Sequence, residues 1–376
     1  MMNNYNYVLA FIFFILSCCN VKEVPENELV IKVKDDILDN INYSELISDI
    51  EFIKLDENPD AIITQIDKIL FHNNKIYILQ RFFNPRVLVF ENNGKYLYDL
   101  GKEGDGPGEY MYPYDLLVNN DTIELLVANF IYSYKENNGK YIGSKSIGFP
   151  AVRFKKTSDG YVFKCGGDEK EIFITDNETN VLSKNMDKGI RNEINPLISF
   201  HPQNDNLLFH MTLNDTIFQI QNNKLTPFRI INFEKPLTDE VLNNLYHRNN
   251  SSISELKKNM GDYMGYLKVY VENESHIYFT YMHKNQNIAF LYDKRKKEGW
   301  SIDPSEIKNN VTFEGYAPFI MDTYNNTFVG YISYPHSSIE IPNGEIKNDI
   351  SEKLMRELNS EKINVDNPIL FKLKFK

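Results

Sequence analysis

From Ile50 onward, short apolar runs rich in Ile, Val, Tyr and Phe recur every eight to twelve residues, separated by polar breaks that are often Asn-Asn, Asn-Gly or Asp-Gly pairs. Period-two alternation buries one face of each run, and the Asn and Gly pairs supply the positive φ angles of tight hairpins. The first unit, Ile66 to Gly101, predicts four strands: Asp67 to Phe71, Lys75 to Leu79, Arg86 to Phe90 and Lys95 to Leu100. Its Asn93-Gly94-Lys95-Tyr96 returns 45 residues later as Asn138-Gly139-Lys140-Tyr141, inside a second unit from Pro113 to Gly148. Four strands per ~40–50 residues is the size of one propeller blade.

Further units run Ala151 to Leu182, Leu197 to Phe233 and Tyr266 to Ile302, and a last one starts at Ala317 but lacks its outer half until NPILFKLKFK at the C-terminus. The unpaired run Ile50 to Leu55 supplies the missing outermost strand. The expected fold is therefore all-β: a six-bladed β-propeller over residues 50–376, with short helical insertions and a ring closed by N- and C-terminal strands. Closure removes the exposed edges of an open sheet. Two separate sandwiches would need a central linker, and no Pro/Gly/Ser-rich segment is present there.

Three segments break the rhythm. Pro236 to Tyr263 carries helix signals, with Thr238 as a candidate N-cap and Ser252 to Glu255 spaced as a capping box. Asp349 to Leu358 places Ile350, Leu354 and Leu358 on one helical face. The third, GKEGDGPGEYMY (Gly101 to Tyr112), is a glycine-rich connection. In an antiparallel blade the first-to-second and third-to-fourth turns share one face, while the second-to-third turns and the inter-blade crossings share the other. All three long elements fall on the second face, which is the expected binding face because loops on a rigid scaffold commonly carry function. Its candidate residues are Arg81, Arg86, Asp105, His210 and His283. Arg81 and Arg86 flank Phe82 and Phe83, a guanidinium-plus-aromatic surface suited to carboxylates and to stacking on sugar rings.

Ahead of the body, Val8 to Leu16 is too short to span a bilayer but long enough for a signal-peptide core, and Leu16-Ser17-Cys18-Cys19 follows it. This resembles the lipobox of bacterial lipoproteins, with either Cys18 or Cys19 as the acylated residue. The n-region departs from the usual pattern in having no Lys or Arg. Residues 1–19 are thus expected to be a signal peptide and residues 20–49 a polar tether and lead-in segment. Only Cys165 remains in the body, where a packed strand-end thiol is favoured over a nucleophile.

The motif GKEGDGPGEYMYP, with ISDIEFIKLDENPDAIITQIDKILFHNNKIYIL before it and LNDTIFQIQNNKLTPFRIINFEK and NPILFKLKFK after it, resembles the six-bladed β-propeller lipoproteins of Bacteroidetes, which look like NHL-repeat propellers. The likeness runs from about Leu46 to Lys376. It implies a propeller on an outer-membrane lipid anchor, in the cell envelope and either periplasmic or surface-exposed. It implies no particular activity.

Charge and chemistry narrow the function less. The chain has 41 basic and 52 acidic residues, a formal charge of −11, a balance that argues against nucleic acid as a partner. There is no HExxH and no GxSxG among its motifs. Glu103, Asp105 and Glu109 could cradle calcium, but their spacing does not match an EF-hand and a structural loop is favoured; no cofactor is expected. Asp121-Thr122-Ile123 and Asp215-Thr216-Ile217 fit an O-glycosylation pattern and equally a turn entering a strand. The leading expectation is a lipid-anchored envelope protein that binds a glycan, a peptide or an envelope partner protein on its elaborated face, without catalysis. The competing one is a hydrolase or lyase, acting on a glycan or lactone-like substrate, with a metal or histidine site in the central channel.

Overall fold

The structure, a computed structural model, describes residues 30–38, 41–166, 169–187, 198–203, 206–221, 223–247, 253–308, 310, 318–332 and 367–376. The signal segment with Cys18 and Cys19, the Ser252 cap and the expected helix over 349–358 lie outside these residues. Three strands come before the first full blade: β1 (Val30–Val33), β2 (Ile37–Leu38) and β3 (Ile47–Ile53), with a short helix α1 (Tyr43–Leu46) leading into β3.

Blade one comprises β4 (Lys68–His72), β5 (Lys75–Gln80), β6 (Arg86–Glu91) and β7 (Tyr96–Asp99). The Gly101 to Tyr112 connection adds a two-stranded parallel pair, β8 (Lys102–Glu103) and β9 (Glu109–Tyr110). Blade two is β10 (Asp115–Asn119), β11 (Thr122–Val127), β12 (Phe130–Lys135) and β13 (Tyr141–Ser146). Blade three is β14 (Ala151–Lys156), β15 (Gly160–Cys165), β16 (Lys170–Asp176) and β17 (Val181–Asp187). Blade four is β18 (Ile198–Gln203), β19 (Asn206–Met211), β20 (Thr216–Gln221) and β21 (Lys224–Phe233). Two helices follow, α2 (Asp239–His247) and α3 (Ile253–Asn259), then blade five: β22 (Gly265–Glu272), β23 (His276–His283), β24 (Gln286–Asp293) and β25 (Glu298–Ile302). Blade six is β26 (Phe319–Tyr324), β27 (Thr327–Ile332), β28 (Ile369–Phe375) and, on its outer edge, β3.

The expected closure is present: β3 runs antiparallel to β28, with Ile53 opposite Leu370, Phe52 opposite Phe371 and Ile50 opposite Leu373. The lead-in segment also adds β1 parallel to β21 and β2 parallel to β25, so blades four and five have five strands each. The turns are those the Asn pairs dictate. Asn73-Asn74 and Asn325-Asn326 both hold positive φ, which matches the right-handed twist of the strands they join. In the helical insertion, the Thr238 hydroxyl accepts from the Val241 N–H, satisfying one of the donors a helix N-terminus leaves open.

Six apolar clusters each join a pair of neighbouring blades, and a seventh seats α2 and α3 on β22. The first strand of every blade lies innermost, and each contacts the first strand of the next around the ring. Charged residues at β4, β10, β14, β22 and β26 therefore meet in a central channel, although the sequence separates them widely.

Candidate functional site at the channel mouth

The cavity in the channel has a volume of about 210 Å³. It lies near the starting ends of β4, β10 and β26 and against the middle of β14 and β22, and so opens toward the face that carries the inter-blade crossings. Strand alternation explains its lining. Arg153 and Lys155 stand two apart on β14 and reach the channel together, while Phe154 between them is fully buried in the core. Lys68 from β4 and Lys268 from β22 join them, with Asp67, Asp115 and Asp322 as the acids.

Asp115 is the structural member of this set. One of its oxygens accepts from the Lys68 ammonium at 2.6 Å and the other from the Phe154 backbone N–H at 2.9 Å, so a single carboxylate ties blades one, two and three. Those donors hold its pKa below the usual carboxylate value against the opposing effect of burial. The Lys68 ammonium also donates to the Leu116 carbonyl. Burial drives Lys68 down to about 8, opposed by Asp115 and reinforced by repulsion from Lys155 and Arg153. The Cε resonance of Lys68 in a lysine-labelled sample is thus expected to titrate near pH 8, well below a surface lysine; a midpoint above 10 would contradict this environment.

The other cations lack such a partner. Arg153 donates to the Tyr114 and Val152 carbonyls at 2.8 and 3.0 Å, and among the described residues neither it, Lys155 nor Lys268 is ion-paired with an acid. Arg81, in the β5–β6 turn, lies 5.3 Å from the Phe82 ring centre and 5.7 Å from that of Tyr114, again with no acid partner among the described residues. Its backbone N–H donates to Asp67 at 2.7 Å. Burial and the neighbouring Arg153 both lower the Arg81 pKa, the signature of cations crowded together. By contrast Lys75, Arg86, Arg229 and Lys294 all pair with carboxylates.

Aromatic side chains rim the same face. Phe82 and Phe83 in the β5–β6 turn, Tyr112 before β10, Tyr263 before β22 and Phe319 at the start of β26 are all exposed. Phe83 is 83 % exposed and has a φ of 49°, a left-handed conformation that side chains with a Cβ rarely adopt. Three hydrogen bonds brace this turn: the Gln80 amide donates to the Phe83 and Asn84 carbonyls, and the Thr64 hydroxyl donates to Phe83.

Of the residues expected on this face, Arg81 stands at the channel mouth. Arg86, at the start of β6, is held by Asp99 and the Asp60 carbonyl. Asp105 is exposed at the tip of the glycine-rich connection, and the two histidines are not displayed at all. His210 is a strand residue of β19, buried beside the Tyr270 ring, and His283 ends β23 fully buried, with Nε2 2.7 Å from Asp35 of the lead-in segment. The expectation that loops would present them fails because both are strand residues whose side chains are buried. The structure does not bring Asp105, His210 and His283 together: the first lies between blades one and two, the others on blades four and five.

The glycine-rich connection itself is a lock between blades. The Tyr110 hydroxyl donates to the Leu100 carbonyl and accepts from the Val87 N–H, and the Tyr134 hydroxyl donates to Gly108. Gly108 has a φ of 79°, and a Cβ there would sit 2.7 Å from the Tyr141 ring, so both conformation and space require glycine. Of its acids, Glu109 pairs with Lys102 and accepts from the Gly106 N–H, while Glu103 and Asp105 are exposed. Among the described residues no three His, Cys, Asp or Glu side chains converge as a metal site. Cys165 is a buried strand-end thiol on β15.

The cations the sequence reading passed over, Lys68, Arg153, Lys155 and Lys268, share one signal. Each sits in the first strand of its unit, the strand that a propeller turns toward its axis.

Six blades around a channel with a cationic, aromatic-rimmed mouth define the class of this protein. It belongs to the DUF4934 family, a domain of unknown function, whose profile matches residues 28–374. A predicted exported protein of Bacteroides fragilis has the same fold in its crystal structure, with a TM-score of 0.72 and 18 % identity over 92 % of this chain and 99 % of that one. The extracellular domain of a one-component system from B. thetaiotaomicron is a more distant neighbour, with a TM-score of 0.42 and 11 % identity over 86 % of this chain and 40 % of that one. No curated protein matches the chain.

Proposed function

We propose that this protein is an exported, lipid-anchored propeller of the cell envelope that binds a ligand or partner at the channel mouth and performs no catalysis there. The observation that carries the reading is the gathering of Arg81, Arg153, Lys155 and Lys268, without acid partners among the described residues, at a cavity ringed by exposed aromatics. Mutually repelling cations in a partly desolvated channel are stabilised by an incoming anion, so the charge is arranged for binding. The separate burial of His210 and His283 supports binding over hydrolysis or lyase chemistry. Export and anchoring rest on the signal-like segment ending at Cys18-Cys19 and on the exported relative that shares the fold.

A glycan and peptide screen of the full chain, run beside a variant carrying Arg81→Gln, Arg153→Gln, Lys155→Gln and Lys268→Gln, tests the site. At least one ligand is expected to be captured by the parent and lost in the variant; no capture, or identical capture by both, refutes it. Replacing Cys18 and Cys19 together by Ser is expected to release the protein from the membrane fraction, and continued membrane association would refute the anchor.

A further inference from the structure

We infer that the channel mouth binds a small aromatic phosphate monoester, its phosphate toward Arg153 and Lys155 on blade three and its ring against Phe319 and Met321 on blade six. This deepens the function proposed above and rests on it.

Three observations select this chemistry. The first is what the wall has left to offer. Asp115 accepts from the Lys68 ammonium and the Phe154 N–H, and Asp67 from the Gln65 amide at 3.1 Å and the Arg81 N–H at 2.7 Å. Asp322 accepts from the Thr323 N–H at 2.8 Å and has a further partner besides. The acids are thus taken up within the protein. Lys155 and Lys268 make no hydrogen bond among the described residues, and Arg153 uses only Nη1 on its two carbonyls, leaving Nε and Nη2 for a ligand. The mouth therefore presents donors, and a ligand rich in hydroxyls, such as an unmodified sugar, finds no ready acceptors in the wall.

The second is the amount of charge. Lys68, Arg153, Lys155 and Lys268 line the cavity and Arg81 stands close enough to Arg153 to be repelled by it, five cations against the three acids, so two positive charges are in excess. A phosphate monoester carries about −1.5 to −2 at neutral pH on three terminal oxygens and matches that excess, whereas a carboxylate or a sulfate ester carries a single charge. The third is the placing of the two kinds of wall. The innermost strands follow one another around the axis in the order of the blades, so β14 of blade three lies opposite β26 of blade six. Arg153 and Lys155 stand two apart on the first, Phe319 and Met321 two apart on the second, and alternation turns each pair into the channel. One side is cationic and the other apolar, across a cavity of about 210 Å³, larger than a free phosphate fills and too small for a folded partner. A ligand with a dianionic end and a flat apolar ring meets both walls.

Calorimetry with the full chain tests this, using phenyl phosphate, phenyl sulfate, inorganic phosphate and glucose-6-phosphate as probes. Phenyl phosphate is expected to bind, more weakly as salt rises, and each of the others to bind about tenfold or more weakly, for want of the second charge, of the ring, or of a ring free of hydroxyls. Lys155→Gln is expected to weaken phenyl phosphate by about tenfold without changing the thermal midpoint, whereas Lys224→Gln on the opposite face leaves it unchanged. Phe319→Ala, at an exposed position, is expected to weaken phenyl phosphate by about fivefold and to leave inorganic phosphate unaffected, which separates the apolar wall from the cationic one. Equal binding of the phosphate and sulfate esters, equal binding of the phenyl and glucose phosphates, or insensitivity to Lys155→Gln overturns the inference. So does binding to phosphatidylcholine vesicles containing phosphatidic acid in place of phenyl phosphate, which would make a lipid surface the partner. If phenyl phosphate fails while a screened glycan or peptide is captured by the parent and lost in the quadruple variant, this inference falls and the channel mouth remains a ligand site. Only the joint failure of phenyl phosphate and of the whole screen overturns both.

Discussion

A chain ending at Pro368 is expected to lose the cooperative folded state. β28 is the third strand of blade six, hydrogen-bonded to β27 on one side and to β3 on the other, so its removal breaks both ladders that close the ring. Its Ile369, Leu370, Phe371 and Leu373 are fully buried, and burying four such side chains contributes about 6–12 kcal/mol, comparable with the whole stability of a typical domain. The last residue adds to the seam, since the Lys376 N–H donates to the Leu46 carbonyl. A milder form is Phe371→Ala: the ring lies directly over Gly330, where a Cβ would come within 2.8 Å of it, and the substitution is expected to cost about 3–5 kcal/mol. Urea unfolding followed by circular dichroism measures both. A truncated chain that unfolds cooperatively at the parent's midpoint would show that the ring does not depend on this closure.

That seam was legible in the sequence, because it rests on local alternation. IEFIKL and ILFKLKF each read as strands, and each lacked a partner in its own neighbourhood. The strands of blade one fall within a residue or two of their expected ends for the same reason, with the Asn-Asn turn fixing register. Features that depend on where blades meet were not legible. Lys68, Arg153 and Lys268 lie about a hundred residues apart along the chain, so an acidic protein still carries a cationic channel that no local run of sequence marks. His283 gave no sign of its partner, because Asp35 reaches it from a lead-in segment that pairs β1 with the edge of β21 and β2 with the edge of β25. The strand VIKV is four residues long, too short for periodicity to announce, and its position is set by the sheet it joins.

The channel also predicts a stability effect separable from binding. Asp115→Ala removes the acceptor for Lys68 and for the Phe154 N–H, leaving an ammonium with 18 % of its side chain exposed and no acid partner. Breaking such a buried pair from one side costs about 3–5 kcal/mol, whereas removing both charges, as in Asp115→Asn with Lys68→Met, is expected to recover much of that loss. The two groups also differ in pH response. The Asp115 pKa is depressed on folding, so its contribution is present above the usual carboxylate value and is lost as acid protonates the folded form. The Lys68 pKa of about 8 lies below its ordinary 10.5, so the unfolded chain holds that proton more tightly, and this group's contribution to stability rises with pH between the two values. Urea midpoints from pH 7 to 10, compared between the parent and Lys68→Met, isolate that rise, which the variant should lack. An unchanged slope in Lys68→Met, or an Asp115→Ala protein within about 0.5 kcal/mol of the parent, would mean that the first three blades are not held together through this carboxylate.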